Sequence, residues 1–104
     1  MFYELRQYEI KEGKMDDWVD FMEGEIIPFQ VGKGMVITAS FRGEEDDSVY
    51  VWMRRFESES QREQLYKDVY ESEEWTGYYA PRCGDLIGGV AVQRIVPTPR
   101  SVTQ

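Results

Sequence analysis

Two arginines, Arg6 and Arg54, are the side chains of this sequence best suited to bind or stabilise an anion. Each lies in a segment with strand character, among the aromatic residues Tyr8, Tyr50 and Trp52. A guanidinium held among such rings can clamp a carboxylate or stabilise an enolate. The alternative is a structural role, in which each arginine pairs with an acidic residue or stacks on a ring in a cation–π contact of ~0.5–2 kcal/mol. The residue types alone leave both roles open.

Tyr78 and Tyr79, together with Trp75, form a second group of residues that can take part in chemistry. They follow the second predicted helix, where a segment can cover the mouth of a pocket. A phenol there can donate a proton or a hydrogen bond to a bound carbonyl. Alternatively, such tyrosines are half-buried packing residues whose hydroxyls reach water. The predicted ligand-binding residues are therefore Arg6, Tyr8, Trp52, Arg54, Tyr78 and Tyr79.

The chain has no histidine, and this removes the most frequent general base, transition-metal ligand and haem ligand. The acidic run Glu44–Asp47 lacks the alternating ligands and the glycine of a calcium loop, and it indicates a solvated turn. The single cysteine, Cys83, follows Arg82, but without a neighbouring base it is a poor nucleophile. We therefore expect no metal site and no cofactor, and we identify no catalytic residue.

Two predicted strands, Phe2–Ile10 and Val49–Phe56, must position these side chains. Successive side chains on a strand alternate between faces. One set, here called the even face, comprises Phe2, Arg6, Tyr8, Ile10, Tyr50, Trp52, Arg54 and Phe56. The other set, the odd face, comprises Tyr3, Leu5, Val49, Val51 and Met53. Neither face suits water, whereas a sheet with one solvated face shows a simple alternation of apolar and polar residues. Both faces are therefore expected to be covered.

The remaining elements follow from periodicity and turn residues. Apolar residues at helical spacing from Met15 to Phe29 predict a helix with a kink or an end near Pro28. A turn at Gly32–Gly34 and a strand over Met35–Arg42 follow. Ser60 and Glu63 match a capping box at the start of a second helix. A further short helical turn carries Trp75 and is expected to end at Pro81. We expect a loop over Gly84–Gly89 and a last strand over Val90–Val96.

The resulting order is strand, helix, strand, strand, helix, strand. It predicts an α+β, ferredoxin-like βαββαβ fold, in which a four-stranded antiparallel sheet carries both helices on one face. We expect a single domain over residues 1–97 and an extended C-terminal tail over 98–104.

The second cover of the sheet is expected to come from another copy of the chain. We assign the even face to this homodimer contact, because a contiguous apolar patch on a monomer marks an interaction surface. The reversed assignment remains open. In that case the even face is core and the odd face meets the partner.

Composition excludes several classes of function. The formal net charge is −8, and the 12 lysines and arginines are scattered, so we expect no nucleic-acid partner. No apolar run is long enough to span a membrane, and no basic leader precedes the first strand. We expect a cytoplasmic protein without a membrane partner.

Several motifs resemble the NIPSNAP family. They are Tyr3-Glu4-Leu5-Arg6-Gln7-Tyr8, Gly13-Lys14 with Trp18, Val51-Trp52-Met53, Arg55-Phe56-Glu57-Ser58, and Glu74-Trp75. The resemblance implies a dimeric α+β barrel, in which two ferredoxin-like sheets pack face to face. Among the candidate site residues, Arg6, Tyr8 and Trp52 match the motifs of the family most distinctively. It assigns no reaction, although the wider superfamily includes cofactor-free oxygenases, haem-degrading enzymes and isomerases.

The sequence leaves three functions open. The first is a NIPSNAP-like homodimer that binds a small, partly apolar organic molecule between sheet and helices. The second is a cofactor-independent oxygenase or isomerase acting on a phenolic or enolisable substrate, with Arg6 as anion stabiliser and a tyrosine as proton carrier. The third is a structural or regulatory dimer without a ligand.

Overall fold

Four antiparallel strands, β1 (Phe2–Ile10), β2 (Val36–Arg42), β3 (Val49–Phe56) and β4 (Ile87–Ile95), form one sheet in the computed structural model, which describes residues 1–104. The strand order across the sheet is β2-β3-β1-β4. The order of elements confirms the predicted ferredoxin-like α+β fold. The strands β1 and β3 are the central pair, and their register places Arg6 directly opposite Trp52.

Two helical segments connect the strands. The first runs without a break through α1 (Met15–Phe21), a π-helical turn (Met22–Ile26) and α2 (Ile27–Lys33). The second comprises α3 (Glu59–Tyr70), a π-helical turn (Trp75–Tyr79) and α4 (Ala80–Leu86). None of these helices combines the length and the apolar character needed to cross a membrane.

The helices continue past Pro28 and Pro81, where we had predicted a kink or an end. Each proline lies in the first turn of an α-helix that directly follows a π-helical turn. In a regular helix the proline ring meets the carbonyl four residues earlier. Here those residues are Gly24 and Gly77, which both lie within the π-helical turns. Since a π-helical turn is wider than an α-helical one, each proline is accommodated without ending its helix.

The second helix begins earlier than its predicted cap. Ser58, and not Ser60, is the N-cap residue, and its hydroxyl accepts a hydrogen bond from the Gln61 backbone N–H at 3.1 Å. The Gln61 side chain in turn accepts from the Glu57 backbone N–H at 2.7 Å. Ser58 and Gln61 have the same spacing as Ser60 and Glu63, so the sequence holds two overlapping capping patterns and the first one is used.

The predicted loop at Gly84–Gly89 is wrong. Helix α4 continues to Leu86, and β4 begins at Ile87. Gly89 pairs with Glu9 of β1. Pairing with a central strand overrides the low strand propensity of glycine.

The even face, which we assigned to a partner, lies beneath the helices instead. Trp52 is 2% exposed and Arg54 is fully buried. Tyr8 packs edge-on against Trp18 of α1, with ring centroids 5.7 Å apart, and Arg54 hydrogen-bonds to Gln30 of α2. The assignment of the even face to a partner is therefore wrong, and the even face is core, as in the first part of the reversed assignment. Both faces are rich in apolar residues, so alternation could not indicate which of them the helices cover.

The odd face carries no helix and is largely apolar. Val36 and Phe41 of β2 are 48% and 62% exposed. The strand register places Phe41 opposite Val51. It places Val36 opposite Arg55, which lies two residues along β3 from Met53, so these side chains share one surface. Apart from the chain end, nothing in the subunit covers this surface.

The residues after β4, where we predicted an extended tail, form no helix or strand. The Ser101 backbone N–H donates to the Thr98 carbonyl at 3.0 Å, which closes a turn. The chain end then reaches the odd face, where the Tyr3 hydroxyl donates to the Gln104 carbonyl. Tyr3 is therefore buried although it lies on the face without helices.

Candidate functional site

A partly enclosed cavity of about 90 Å³ lies between the sheet and the helices. Its polar and aromatic lining consists of Arg6, Tyr8, Trp18, Trp52, Tyr70 and Trp75. Its remaining lining consists of Met22, Ile26, Cys83 and Ile87. Both π-helical turns contribute to the wall, the first through Met22 and Ile26 and the second through Trp75. Turns of this kind occur frequently at functional sites.

Four other depressions on the surface are larger than this cavity. Two of about 120 Å³ lie at the chain end and beside Arg42, and two of about 370 and 440 Å³ lie near Glu9 at the end of β1. They are open to solvent. The largest one is lined mainly by polar and acidic residues of exposed turns, including Asp46 and Asp47. Small-molecule sites are typically concave and apolar with few placed polar groups. We therefore identify the smallest cavity as the candidate site.

Arg6 is the only charged residue in the lining of this cavity. Its Nε donates to the Tyr8 hydroxyl at 2.9 Å, and its Nη1 donates to the Tyr66 hydroxyl at 3.3 Å. Its guanidinium carbon is 5.6 Å from the Tyr8 ring centroid and 5.9 Å from that of Trp52. Burial disfavours the charge, but the surrounding phenols outweigh it and raise the pKa of Arg6. The group is a permanent cation with unused donors.

Tyr8 presents a phenol whose hydrogen has no acceptor in the protein. Its oxygen accepts from Arg6, and this is the only hydrogen bond of the hydroxyl. Burial raises the pKa of Tyr8, and the neighbouring Arg6 charge offsets only part of that rise. The phenol therefore keeps its proton at neutral pH and can donate it in a hydrogen bond to a ligand.

Two indole N–H groups in the lining also lack partners. Trp18 and Trp52 are 1% and 2% exposed, and neither Nε1 has a hydrogen-bond acceptor. The Trp52 indole lies near enough to the Tyr8 phenol to lower its pKa slightly, but not in hydrogen-bond geometry. A buried donor without a partner costs roughly 1–3 kcal/mol. A ligand acceptor that reaches either indole N–H would recover part of that cost.

A buried ionic cluster adjoins the cavity and is centred on Glu4, which is 1% exposed. Its carboxylate accepts from Arg54 Nη2 at 2.9 Å, from Arg62 Nε at 2.7 Å and from the Tyr66 hydroxyl at 2.7 Å. Burial alone would raise the pKa of Glu4, but these partners outweigh it and lower the pKa. Arg6 stands farther away, with Nη1 3.9 Å from Glu4 Oε1. Three guanidiniums thus share one carboxylate, and Arg6 is the least neutralised of them.

Arg54 is held from both sides and does not line the cavity. Its Nη1 donates to Gln30 Oε1 at 2.9 Å and to the Tyr70 hydroxyl at 2.7 Å. Its Nη2 donates to the Tyr66 hydroxyl at 2.9 Å in addition to Glu4. These contacts join β3 to α2 and α3, so they fit the structural alternative that the sequence left open.

The NIPSNAP family model matches residues 3–102. The chain belongs to the NIPSNAP family. A NIPSNAP family protein from Agrobacterium tumefaciens superposes with a TM-score of 0.89 at 23% identity, over 99% of this chain and 98% of that one. A NIPSNAP domain protein from Burkholderia xenovorans gives a TM-score of 0.86 at 16% identity, over 97% of this chain and 98% of that one. The sequence resemblance is therefore confirmed.

Structural similarity extends beyond the family. An antibiotic biosynthesis monooxygenase superposes with a TM-score of 0.69 at 15% identity, over 95% of this chain and 100% of that one. At this identity the comparison establishes a shared fold alone. Comparison with curated proteins gives no match.

Among the six predicted site residues of this NIPSNAP chain, Arg6, Tyr8 and Trp52 line the cavity. Tyr79 lies outside the lining, where its ring packs at a tilt against that of Phe29, with centroids 4.7 Å apart. Tyr78 is 52% exposed. The structure thus gathers half of the predicted set at one cavity and places Arg54, Tyr78 and Tyr79 around it.

Tyr78 links the two π-helical turns. Its hydroxyl donates to Glu25 Oε1 at 2.7 Å, and Glu25 lies in the first turn while Tyr78 lies in the second. The Glu25 hydrogen bond raises the pKa of Tyr78. This contact spans two segments that both contribute to the cavity wall.

Sequence reasoning missed Glu4 and most of the helical lining. Glu4 has the same strand parity as Arg6 and Tyr8, so one acid among two arginines on the even face was an available signal for a buried ion pair. Trp18 and Met22 were identified only as an apolar helix stripe, because nothing in their spacing separates a cavity wall from a filled core.

The lining contains donors but no strong proton acceptor. Burial raises the pKa of the Cys83 thiol to about 11, which makes it a poor nucleophile at neutral pH. The Glu4 carboxylate is occupied by its own partners and is not part of the lining. No group of histidine, cysteine, aspartate or glutamate side chains is arranged to hold a metal ion. The chemistry that this lining allows is therefore hydrogen-bond donation to a negative charge.

Proposed function

We propose that this NIPSNAP family protein is a homodimer that binds a small, partly apolar organic molecule in the cavity beside Arg6. The observation that carries the proposal is a guanidinium with unused donors in an otherwise apolar wall. A cation that is 16% exposed is costly to hold without a committed counterion. A bound ligand that offers an acceptor compensates this cost.

The segment Trp75–Tyr79 serves as a cover in this proposal. Trp75 forms part of the wall, and the Tyr78 hydroxyl holds the segment to Glu25 of the other π-helical turn. The hydrogen bond is exposed, so water competes with it and the segment can open at low cost. Entry of a ligand then requires a local movement and leaves the sheet unchanged.

The odd face supports the dimer. It exposes Phe41 and Val36 beside the half-buried residues Leu5, Val51 and Met53. Burial of apolar area stabilises an association by roughly 25 cal/mol per Å² before entropic costs. A second copy that presents the same surface forms a two-fold contact.

Binding is tested by a thermal-shift screen of small organic acids, ketones and phenols against the wild type and two variants, Arg6→Ala and Tyr8→Phe. Arg42→Ala is the matched control, because Arg42 is a surface residue paired with Asp16 and Asp47. We expect hits that stabilise the wild type and the control but not Arg6→Ala. Hits that stabilise all four proteins equally would exclude this cavity as their site.

The dimer is tested by analytical ultracentrifugation of the wild type and Val51→Lys at micromolar concentration. Val51→Lys places a charge in the centre of the odd face. Val92→Lys is the control, because Val92 pairs with Arg6 and so lies on the helix side of edge strand β4, 44% exposed. We expect a dimer for the wild type and the control, and a monomer for Val51→Lys. A monomeric wild type would remove the dimer from the proposal.

The second candidate is a cofactor-independent oxygenase or isomerase for a phenolic or enolisable substrate. The observation that favours it is the convergence of Arg6 and Tyr8 donors, which suits an oxyanion. Because the lining offers no base, such a substrate has to enter as the anion. Oxygen consumption and product analysis with phenolate and enolate compounds test this candidate, and binding without turnover leaves the first function. If no ligand binds, the purely structural or regulatory dimer is the remaining function.

A further inference from the structure

We propose, building on the function above, that the ligand is a small monoanion whose polar groups are all hydrogen-bond acceptors, with the carboxylate of a short apolar acid as its simplest form. This assignment names a ligand class for the cavity. It follows from the donors, the charge and the size of the site.

Several polar side chains of the cavity lining have hydrogen-bond donors without an acceptor. Arg6 uses only two of its donors, and Tyr8 has a free hydroxyl hydrogen. The indoles of Trp18 and Trp52 add two unpaired N–H groups, and an indole can donate but not accept. A ligand that carries N–H groups of its own would find no carboxylate or carbonyl among the lining side chains.

The local charge favours one negative charge on the ligand. Arg6, Arg54 and Arg62 surround Glu4, whose oxygens are taken by Arg54, Arg62 and Tyr66. Arg62 has a second carboxylate partner in Glu59, at 3.3 Å. Arg6 is left at 3.9 Å from the nearest Glu4 oxygen. The positive surplus is therefore located at the cavity wall. A cationic ligand is repelled there, although the protein as a whole carries a formal net charge of −8.

The volume sets the size of the ligand. A cavity of about 90 Å³ is well below the ~300–1,000 Å³ of drug-sized pockets. In a volume of this kind one water needs roughly 10–15 Å³, so the cavity has room for about six to nine non-hydrogen atoms, and we expect an acid of about three to five carbon atoms. Its apolar end packs against Met22, Ile26 and Ile87, which supply no polar atoms.

Three probes of nearly equal shape separate this class from its alternatives. Isobutyrate is an anionic acceptor, isopropyl methyl ketone is a neutral acceptor, and isobutyramide is neutral and also a donor. Titrations are followed in a proton–nitrogen correlation spectrum, where the three tryptophans of the chain give one indole signal each. Trp→Phe variants assign the signals.

We expect isobutyrate to shift the Trp18 and Trp52 indole signals and to bind roughly tenfold more tightly than the ketone, because a charge-assisted hydrogen bond is about twice as strong as a neutral one. Isobutyramide is expected to bind most weakly. Arg6→Met removes the preference for isobutyrate over the ketone, whereas Arg42→Met retains it.

The failures of the two proposals are distinguishable. If the ketone or the amide shifts both indole signals with an affinity equal to that of isobutyrate, the anion class is wrong while the cavity remains a binding site. If no probe shifts either indole signal at millimolar concentration, both the ligand class and the binding function of the cavity are overturned.

Discussion

Arg6 and Arg54 lie on the two central strands and face the same helices, yet their surroundings differ. Arg54 is fully buried and donates to Glu4, Gln30, Tyr66 and Tyr70. Arg6 is 16% exposed, donates to two phenols and borders a cavity. One arginine is therefore committed to the fold, whereas the other retains donors for a ligand.

The difference arises from the helix segments above each arginine. Over Arg54 the chain places Gln30 and Tyr70, whose polar atoms reach the guanidinium. Over Arg6 it places the π-helical turn with Met22 and Ile26, whose side chains offer no acceptor, so that the helices supply only the Tyr66 hydroxyl at 3.3 Å. The same side chain is thus structural or available for binding according to the acceptors that the facing helix provides.

The largest expected effect is on stability, and it separates the two arginines. Arg54→Met leaves Glu4 with fewer partners in the core, and loss of one member of a buried ion pair costs about 3–5 kcal/mol. Arg62 and Tyr66 remain on Glu4, so we expect the lower end of this range. Arg6→Met loses two hydrogen bonds to phenols and is expected to cost about 1 kcal/mol.

Urea unfolding followed by tryptophan fluorescence measures both variants. Equal losses of unfolding free energy in the two variants would contradict the division of roles between the arginines.

The second prediction concerns the Cys83 thiol and tests whether water reaches the cavity wall. Burial raises the pKa of its thiol from 9.0 to about 11, so the thiolate fraction near pH 8 falls roughly a hundredfold relative to an unperturbed cysteine. We expect alkylation by iodoacetamide to be slower than in the urea-unfolded chain by about this factor, and to accelerate up to about pH 11. A native rate equal to that of the unfolded chain would mean that the cavity wall is open to solvent.

Acid sensitivity is a third test, directed at the ionic cluster. The folded-state pKa of Glu4 is lowered from 4.5, so its contribution to stability is present above that pH and is lost as the pH falls through the folded-state value. Glu4→Gln is expected to be less stable at pH 7 and to show a flatter acid limb. Glu44→Gln, in the exposed turn, is the control and should retain the wild-type limb. An unchanged acid limb in Glu4→Gln would contradict the cluster.

The smallest effect is expected at the cover. Tyr78→Phe removes an exposed hydrogen bond to Glu25 and is expected to cost under about 1 kcal/mol of global stability. It should nevertheless speed amide hydrogen exchange in Trp75–Tyr79. Tyr79→Phe is the control, since the Tyr79 ring packs on Phe29 and the substitution retains that ring. Equal exchange rates in the wild type and Tyr78→Phe would show that the bond does not fasten the segment.

The fold could be predicted because alternation and periodicity report local structure. The strands β1 and β3 match the predicted bounds, Phe2–Ile10 and Val49–Phe56. Gly84–Gly89 misled the prediction, because long-range pairing with β1 and not local propensity decides that segment.

The site was less predictable, since it depends on which face the helices cover. Arg6, Tyr8 and Trp52 share a face in the sequence pattern, and they share the cavity wall in the structure. The partners of Arg54 come from Gln30 and Tyr70, which are distant in the chain, so its role could not be read from its neighbours.

A crystal structure grown with isobutyrate tests the central claim most directly. We expect one carboxylate oxygen within about 2.7–2.9 Å of an Arg6 guanidinium nitrogen, the other near an indole N–H of Trp18 or Trp52, and the methyl groups against Met22 and Ile26. A cavity that contains only water at saturating isobutyrate, with Arg6 still held by Tyr8 and Tyr66, would contradict the account.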